Sequence, residues 1–79
     1  MKLARDVSGF ALIKILEKHF GYRQVHQAGS HVILETDVPR HHRIAIPAHD
    51  SLRLVTLNAV LRAVAAAKNI DKNEILAKL

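Results

Sequence analysis

The chain has 79 residues, no cysteine, and twelve Lys and Arg against seven Asp and Glu, a net charge of +5 with histidine neutral. At this length a fold buries roughly 60% of its unfolded surface, enough for one small core, so residues 1–79 are read as a single domain. Without cysteine there are neither disulfide staples nor thiolate metal ligands. No apolar run approaches the roughly 18 residues of a membrane helix. The opening "MKLARDVSGF" lacks a leader-like apolar region, and the expectation is a soluble, cytoplasmic protein. The positive balance favours a polyanionic partner: RNA, DNA or an acidic protein.

In chain order, "SGFALIKILEKHFGY" predicts a helix. Ser8 suits its N-cap, and Phe10, Ile13, Leu16 and Phe20 recur at helical spacing as candidate core residues. Lys14 and Lys18 fall on the wet side, and Gly21 supplies a left-handed stop. Three short strands follow. "YRQVHQ" alternates poorly and reads as an edge strand, while "HVILET" is apolar and β-branched. "HRIAIP" alternates clearly and ends on a proline, which has no N–H to give a ladder. The turn-forming "DVPRH" between the last two predicts an antiparallel hairpin.

From about Ser51 the helical period returns. Leu54, Leu57, Leu61 and Val64 form one stripe, Arg53 and Arg62 lie off it, and Asn69 suits a left-handed cap. In "DKNEILAKL", Asp71 with Glu74 three residues on has the form of a capping box opening a short last helix. The order α-β-β-β-α plus a terminal helix predicts an α+β fold, a small antiparallel sheet with helices on one face.

The six histidines, His19, His26, His31, His41, His42 and His49, all fall in the middle of the chain. Histidine takes up and releases protons near neutral pH, so their placement bears on chemistry. In "QAGSHVIL", strand alternation puts Val32 and Leu34 on one face and His31, Ile33 and Glu35 on the other. Val32 and Leu34 suit the core, which sends His31 to the open face beside Gly29, where a substrate backbone can come close. The competing reading of His31 is a surface or hydrogen-bonded structural residue. His41, His42 and His49 make a poor metal cluster, since adjacent strand residues point apart and no Cys or acidic pair completes it. No metal and no other cofactor is expected. Phe10, Phe20 and Tyr22 are too few, and the phenylalanines too committed to the helix core, for a base-stacking platform.

"VSGFALIKILEKHFGYRQVHQAGSHVIL" followed by "IAIPAHDSLRLVTLNAVLRAV" resembles the HicA family, the mRNA-interferase toxins of prokaryotic type II toxin–antitoxin pairs. The shared features, in order, are a leading Ser-Gly, an "IKxLEK" helix, a Gly-Phe/Tyr stop and "RQxGSH" leading into a strand. An "IxIPxH" strand end and a "TLxxILR" helix complete a match over roughly residues 7–76. The resemblance implies a fold like a double-stranded-RNA-binding domain and endonucleolytic cleavage of mRNA. It implies that the histidine of "GSH", here His31, is catalytic, and that a HicB-like antitoxin covers the site. A DNA operator would be reached only indirectly, through the antitoxin. Ala28 stands where family members often carry Lys or Arg, Val55 stands in place of a glycine, and the second helix runs about a turn longer.

RNA brings its own nucleophile, the 2′-OH, so a metal-free nuclease needs a proton acceptor, a proton donor and positive charge for the phosphorane. His31 is the candidate for the proton transfer, and His49 in "PAH" the second candidate. Gln27, Gly29 and Ser30 are candidate positioning residues on the same approach. Arg23, Arg43, Arg53 and Arg62 are candidate phosphate contacts. Two alternatives remain open at this level: a non-catalytic RNA-binding module on the same scaffold, and a pure protein-interaction domain.

Overall fold

The computed structural model describes residues 7–79. Residues 1–6, with much of the stretch read for a leader, lie outside it. The elements are α1 (Gly9–His19), β1 (Arg23–Ala28), β2 (His31–Thr36), β3 (His42–Pro47), α2 (Leu54–Lys68) and α3 (Lys72–Leu76). The strands form one antiparallel sheet in the order β1-β2-β3, and the whole is the α-β-β-β-α arrangement of a double-stranded-RNA-binding-domain-like fold. Among the described residues, no helix is long and apolar enough to cross a membrane.

Local chemistry sets the element ends. The Ser8 hydroxyl accepts from the Ala11 amide at 3.0 Å and caps α1. Past its C-terminus, Gly21 takes φ +72°, the left-handed conformation a glycine adopts without strain. Asn69 does the same for α2 at φ 58°. Asp71 caps α3 by accepting from the Asn73 amide at 2.9 Å.

The ladder explains the poor alternation of "YRQVHQ". Gln24 pairs with Leu34 and His26 with Ile33, leaving Val25 as an extra residue in a bulge. The bulge shifts the period by one, so no single alternation spans the strand. β1 is an edge strand as expected, and all six of its residues are exposed.

The core lies between β2 and β3 on one side and the helices on the other. Val32, Leu34 and Ile46 face Leu12, Leu16, Leu57, Leu61, Val64 and Ile75, all nearly inaccessible. Two expected core residues are not there. Phe10 is 54% exposed and Leu54 47% exposed. Each sits in the first turn of its helix, where the apolar stripe has already run past the edge of the sheet. Val7 and Leu52 occupy that end of the core instead, joined by a bond from the Leu52 amide to the Val7 carbonyl at 2.9 Å. Phe20 packs at the core margin, half-buried.

At the far end of the sheet Tyr22 is buried, and its hydroxyl lies 2.8 Å from Nδ1 of His42. Lys68, in the last turn of α2, donates to the buried Thr36 hydroxyl at 2.8 Å and to the Val38 carbonyl, with its ammonium over the Tyr22 ring. These polar groups satisfy one another, a requirement for burying them.

Candidate active site

The loop from β1 to β2 is only Gly29 and Ser30, closed by the Ala28–His31 pair. Of the two, only Gly29 has positive φ, +60°, the pattern of a type II′ hairpin turn. A side chain at Gly29 would meet nothing within 4 Å, so backbone conformation is what demands glycine there. The turn starts β2 on His31.

His31 is flanked by Ala28 on β1 and Pro47 on β3, and it is exposed. Val32 and Leu34 point the other way, 5% and 0% exposed. His31, Ile33 and Glu35 therefore share the face that no helix covers among the described residues, together with Ala45 and Arg43 across the ladder.

The turn is fastened to the segment after β3. The Ala48 amide donates to the Ser30 carbonyl at 2.6 Å, and His49 Nε2 stands 3.3 Å from the Ser30 hydroxyl. The His49 carbonyl in turn accepts from the Gly9 amide at 2.8 Å. That contact requires Gly9, because an added Cβ would lie 1.8 Å from the Pro47 carbonyl oxygen. The start of α1, the hairpin turn and the end of β3 thus converge at one end of the sheet. Ser30, His31 and His49 are brought together there.

Gln27 is placed differently from the sequence reading. It pairs with Val32, so it lies on the face opposite His31, and its amide donates to the Gly29 carbonyl at 3.1 Å. Its side chain braces the turn. Arg43 lies on the His31 face near the other end of β3. Arg53 is the N-cap residue of α2, and Arg62 is exposed on α2, so neither belongs to the sheet face. The three histidines weighed as a metal cluster go to different partners: His41 to Glu35, His42 to Tyr22, His49 to Ser30.

Glu35 is the hub that sequence reading missed. It accepts from Arg23 at 3.2 Å and from His41, and it pairs across the ladder with Arg43. The hydrogen bond from His41, backed by the charges of His41, Arg23 and Arg43, outweighs partial burial and lowers the Glu35 pKa. Arg23 also reaches Asp37 at 3.1 Å. The signal was the ladder register, which places Arg23, Glu35 and Arg43 in one cross-strand row.

On this double-stranded-RNA-binding-domain-like scaffold the open sheet face carries an exposed histidine at the start of β2. Residues 11–65 match the family model described as the HicA toxin of bacterial toxin–antitoxin systems. The chain belongs to that family, and membership implies an antitoxin partner. No curated protein and no solved structure gives a significant match.

Proposed function

We propose that this toxin is an endoribonuclease that cleaves mRNA with His31 as its acid/base group, and that a HicB-like antitoxin restrains it by covering the open face. The carrying observation is the position of His31: exposed, on the uncovered face, and fixed by ladder partners on both sides. A histidine held there has no packing duty. Its imidazole is presented to whatever lies across the sheet.

The reaction needs little from the protein. The 2′-OH attacks the adjacent phosphorus, the P–O5′ bond breaks, and a 2′,3′-cyclic phosphate and a 5′-OH result. One proton leaves O2′ and one reaches O5′. His31 performs one of these transfers, worth typically 10²–10⁴-fold. His49, in the segment after β3 and 3.3 Å from the Ser30 hydroxyl, is the candidate for the other. Arg43 and Arg23 lie on the same face about 13 Å along the strands from His31, where they supply positive charge to the phosphates of flanking nucleotides. RNA furnishes the nucleophile, so the scheme requires no metal-bound water and no cofactor.

The test is incubation of the purified protein with a defined RNA in EDTA, followed by mass spectrometry of the ends. The reading requires cuts bearing 2′,3′-cyclic phosphate and 5′-OH. RNA that is shifted in a gel but recovered intact would make the protein a binding module instead. Cleavage that EDTA abolishes and Mg²⁺ restores would overturn the histidine scheme.

A further inference from the structure

A cleft of about 390 Å³ runs along the outer edge of β3, with the first half of α2 as its other wall. His31 and Pro47 stand at one end; Ala45, Val55, Thr56 and Ala59 line its length. A second hollow of about 380 Å³ shares Ile44 and Ala45 with it and adds Arg43 and Ile33. Because they share Ile44 and Ala45, their linings together span β3 from Pro47 to Arg43. Pro47 and Arg43 are four residues apart on an extended strand, about 13 Å.

The groove has a definite chemistry. Small side chains at Ala45 and Ala59 leave a slot, and Val55 and Pro47 give it apolar walls. Thr56 contributes a hydroxyl. Among the described residues β3 pairs with β2 alone, so its other edge turns backbone N–H and C=O groups outward along the groove. Val55 is 81% exposed, so burial in the core does not account for a β-branched apolar residue there. The volume lies within the roughly 300–1,000 Å³ of small-molecule sites. A nucleobase is flat, with apolar faces and a rim of donors and acceptors, and it matches a slot with apolar walls and a polar strand edge.

We propose that this groove binds a nucleobase beside the scissile phosphate and sets which nucleotide is cut, with Val55, Thr56 and Ala59 as the specificity-determining residues. The proposal rests on the RNA-cleaving reading above and adds the subsite to it. Arg43 sits where the phosphate of a further nucleotide would pass. Val55 and Ala59 are one helical turn apart on the same stripe of α2, so changing either alters the width of the slot.

The experiment is amide NMR of the whole chain titrated separately with the four nucleoside 3′-monophosphates and with inorganic phosphate. It is run on the wild type, Val55→Ala and Ala59→Leu, alongside mapping of RNA cut sites by sequencing. Saturable shifts at Ala45, Val55, Thr56 and Ala59 should differ between bases, and phosphate should not reproduce them. Ala59→Leu, filling the slot, should weaken nucleotide binding about tenfold and leave the response to inorganic phosphate and the melting temperature unchanged. Val55→Ala should change the base found beside the cut. If nucleotides move only the residues that phosphate also moves, the groove does not read bases and the proposal falls, whether or not RNA is cut. If the groove stays silent to nucleotides and shifts only with purified antitoxin, it is a protein-docking surface and the proposal falls. Base-dependent binding without any RNA cleavage would keep the subsite and remove the nuclease reading.

Discussion

Ser30 and His49, nineteen positions apart, meet through their side chains at 3.3 Å, beside a main-chain bond from Ala48 to the Ser30 carbonyl at 2.6 Å. This double link makes the "GSH" turn and the "IPAH" strand end one unit. Ser30→Ala removes only the side-chain link and keeps the main-chain one. Its melting temperature should stay within the shift expected for about 0.5 kcal/mol. RNA cleavage should fall, because His49 loses its tether. Unchanged cleavage would leave His49 without a part in the reaction.

Gly9 and Gly29 are required for different reasons, and substitution separates them. At Gly9 the obstacle is backbone: a Cβ would lie 1.8 Å from the Pro47 carbonyl oxygen. Gly9→Ala should force α1 away from β3, costing about 1–3 kcal/mol or more. At Gly29 there is open space, and only the positive φ opposes a side chain. Gly29→Ala should cost about 1–2 kcal/mol, and Gly29→Asn less, since Asn follows glycine among the residues these mirror-image turns accept. Chemical denaturation of the three variants checks the ranking.

The Tyr22–His42 pair confines stability to a pH window. Burial, with the charges of His41, Lys68 and Arg40 behind it, lowers the His42 pKa below its usual 6.5. The unfolded chain therefore takes up the proton first, and stability should fall as pH drops below about 6.5. The lowered carboxyl of Glu35 adds a second loss below pH 4.5. On the alkaline side, burial raises Tyr22 from 10.0 to about 12, and stability should fall as pH rises through that interval. Denaturation midpoints across pH should show these losses. His42→Gln should flatten the limb just below 6.5, and Tyr22→Phe the limb above 10.

Glu35 neutralises cations on the face proposed to meet RNA. Its partners Arg23 and His41 are more than half exposed, where ion pairs contribute little, so Glu35→Gln should leave stability nearly unchanged. It should tighten RNA binding and steepen the salt dependence, since Arg23, Arg43 and His41 lose a competing anion. Filter binding at several salt concentrations tests this. Weaker binding would place the RNA elsewhere.

Much of the architecture was legible because local chemistry and period agreed. Ser8, Gly21, Asn69 and Asp71 mark element ends, and the alternation of "HVILET" assigned Val32 and Leu34 inward and His31 outward, as observed. Where the outcome depended on neighbours distant in sequence, the reading failed. Phe10 and Leu54 keep the helical period but project beyond the sheet, while Val7 and Leu52 fill that end. Leu54 begins α2, three residues later than the apolar period suggested. The bulge at Val25 breaks the β1 alternation, and Gln27 turns to the face opposite His31. The groove between β3 and α2 has no local signature, since it is made by two elements packing side by side.

The most direct test of the central claim is His31→Ala beside Leu34→Ala, each followed by thermal melts, RNA cleavage and growth. His31 is exposed, so its truncation should alter stability by no more than about 0.5 kcal/mol while cleavage and growth inhibition disappear. Leu34 is fully buried, and its truncation should cost about 2–5 kcal/mol and lose fold and activity together. A folded His31→Ala protein that cuts RNA at the wild-type rate would contradict the account.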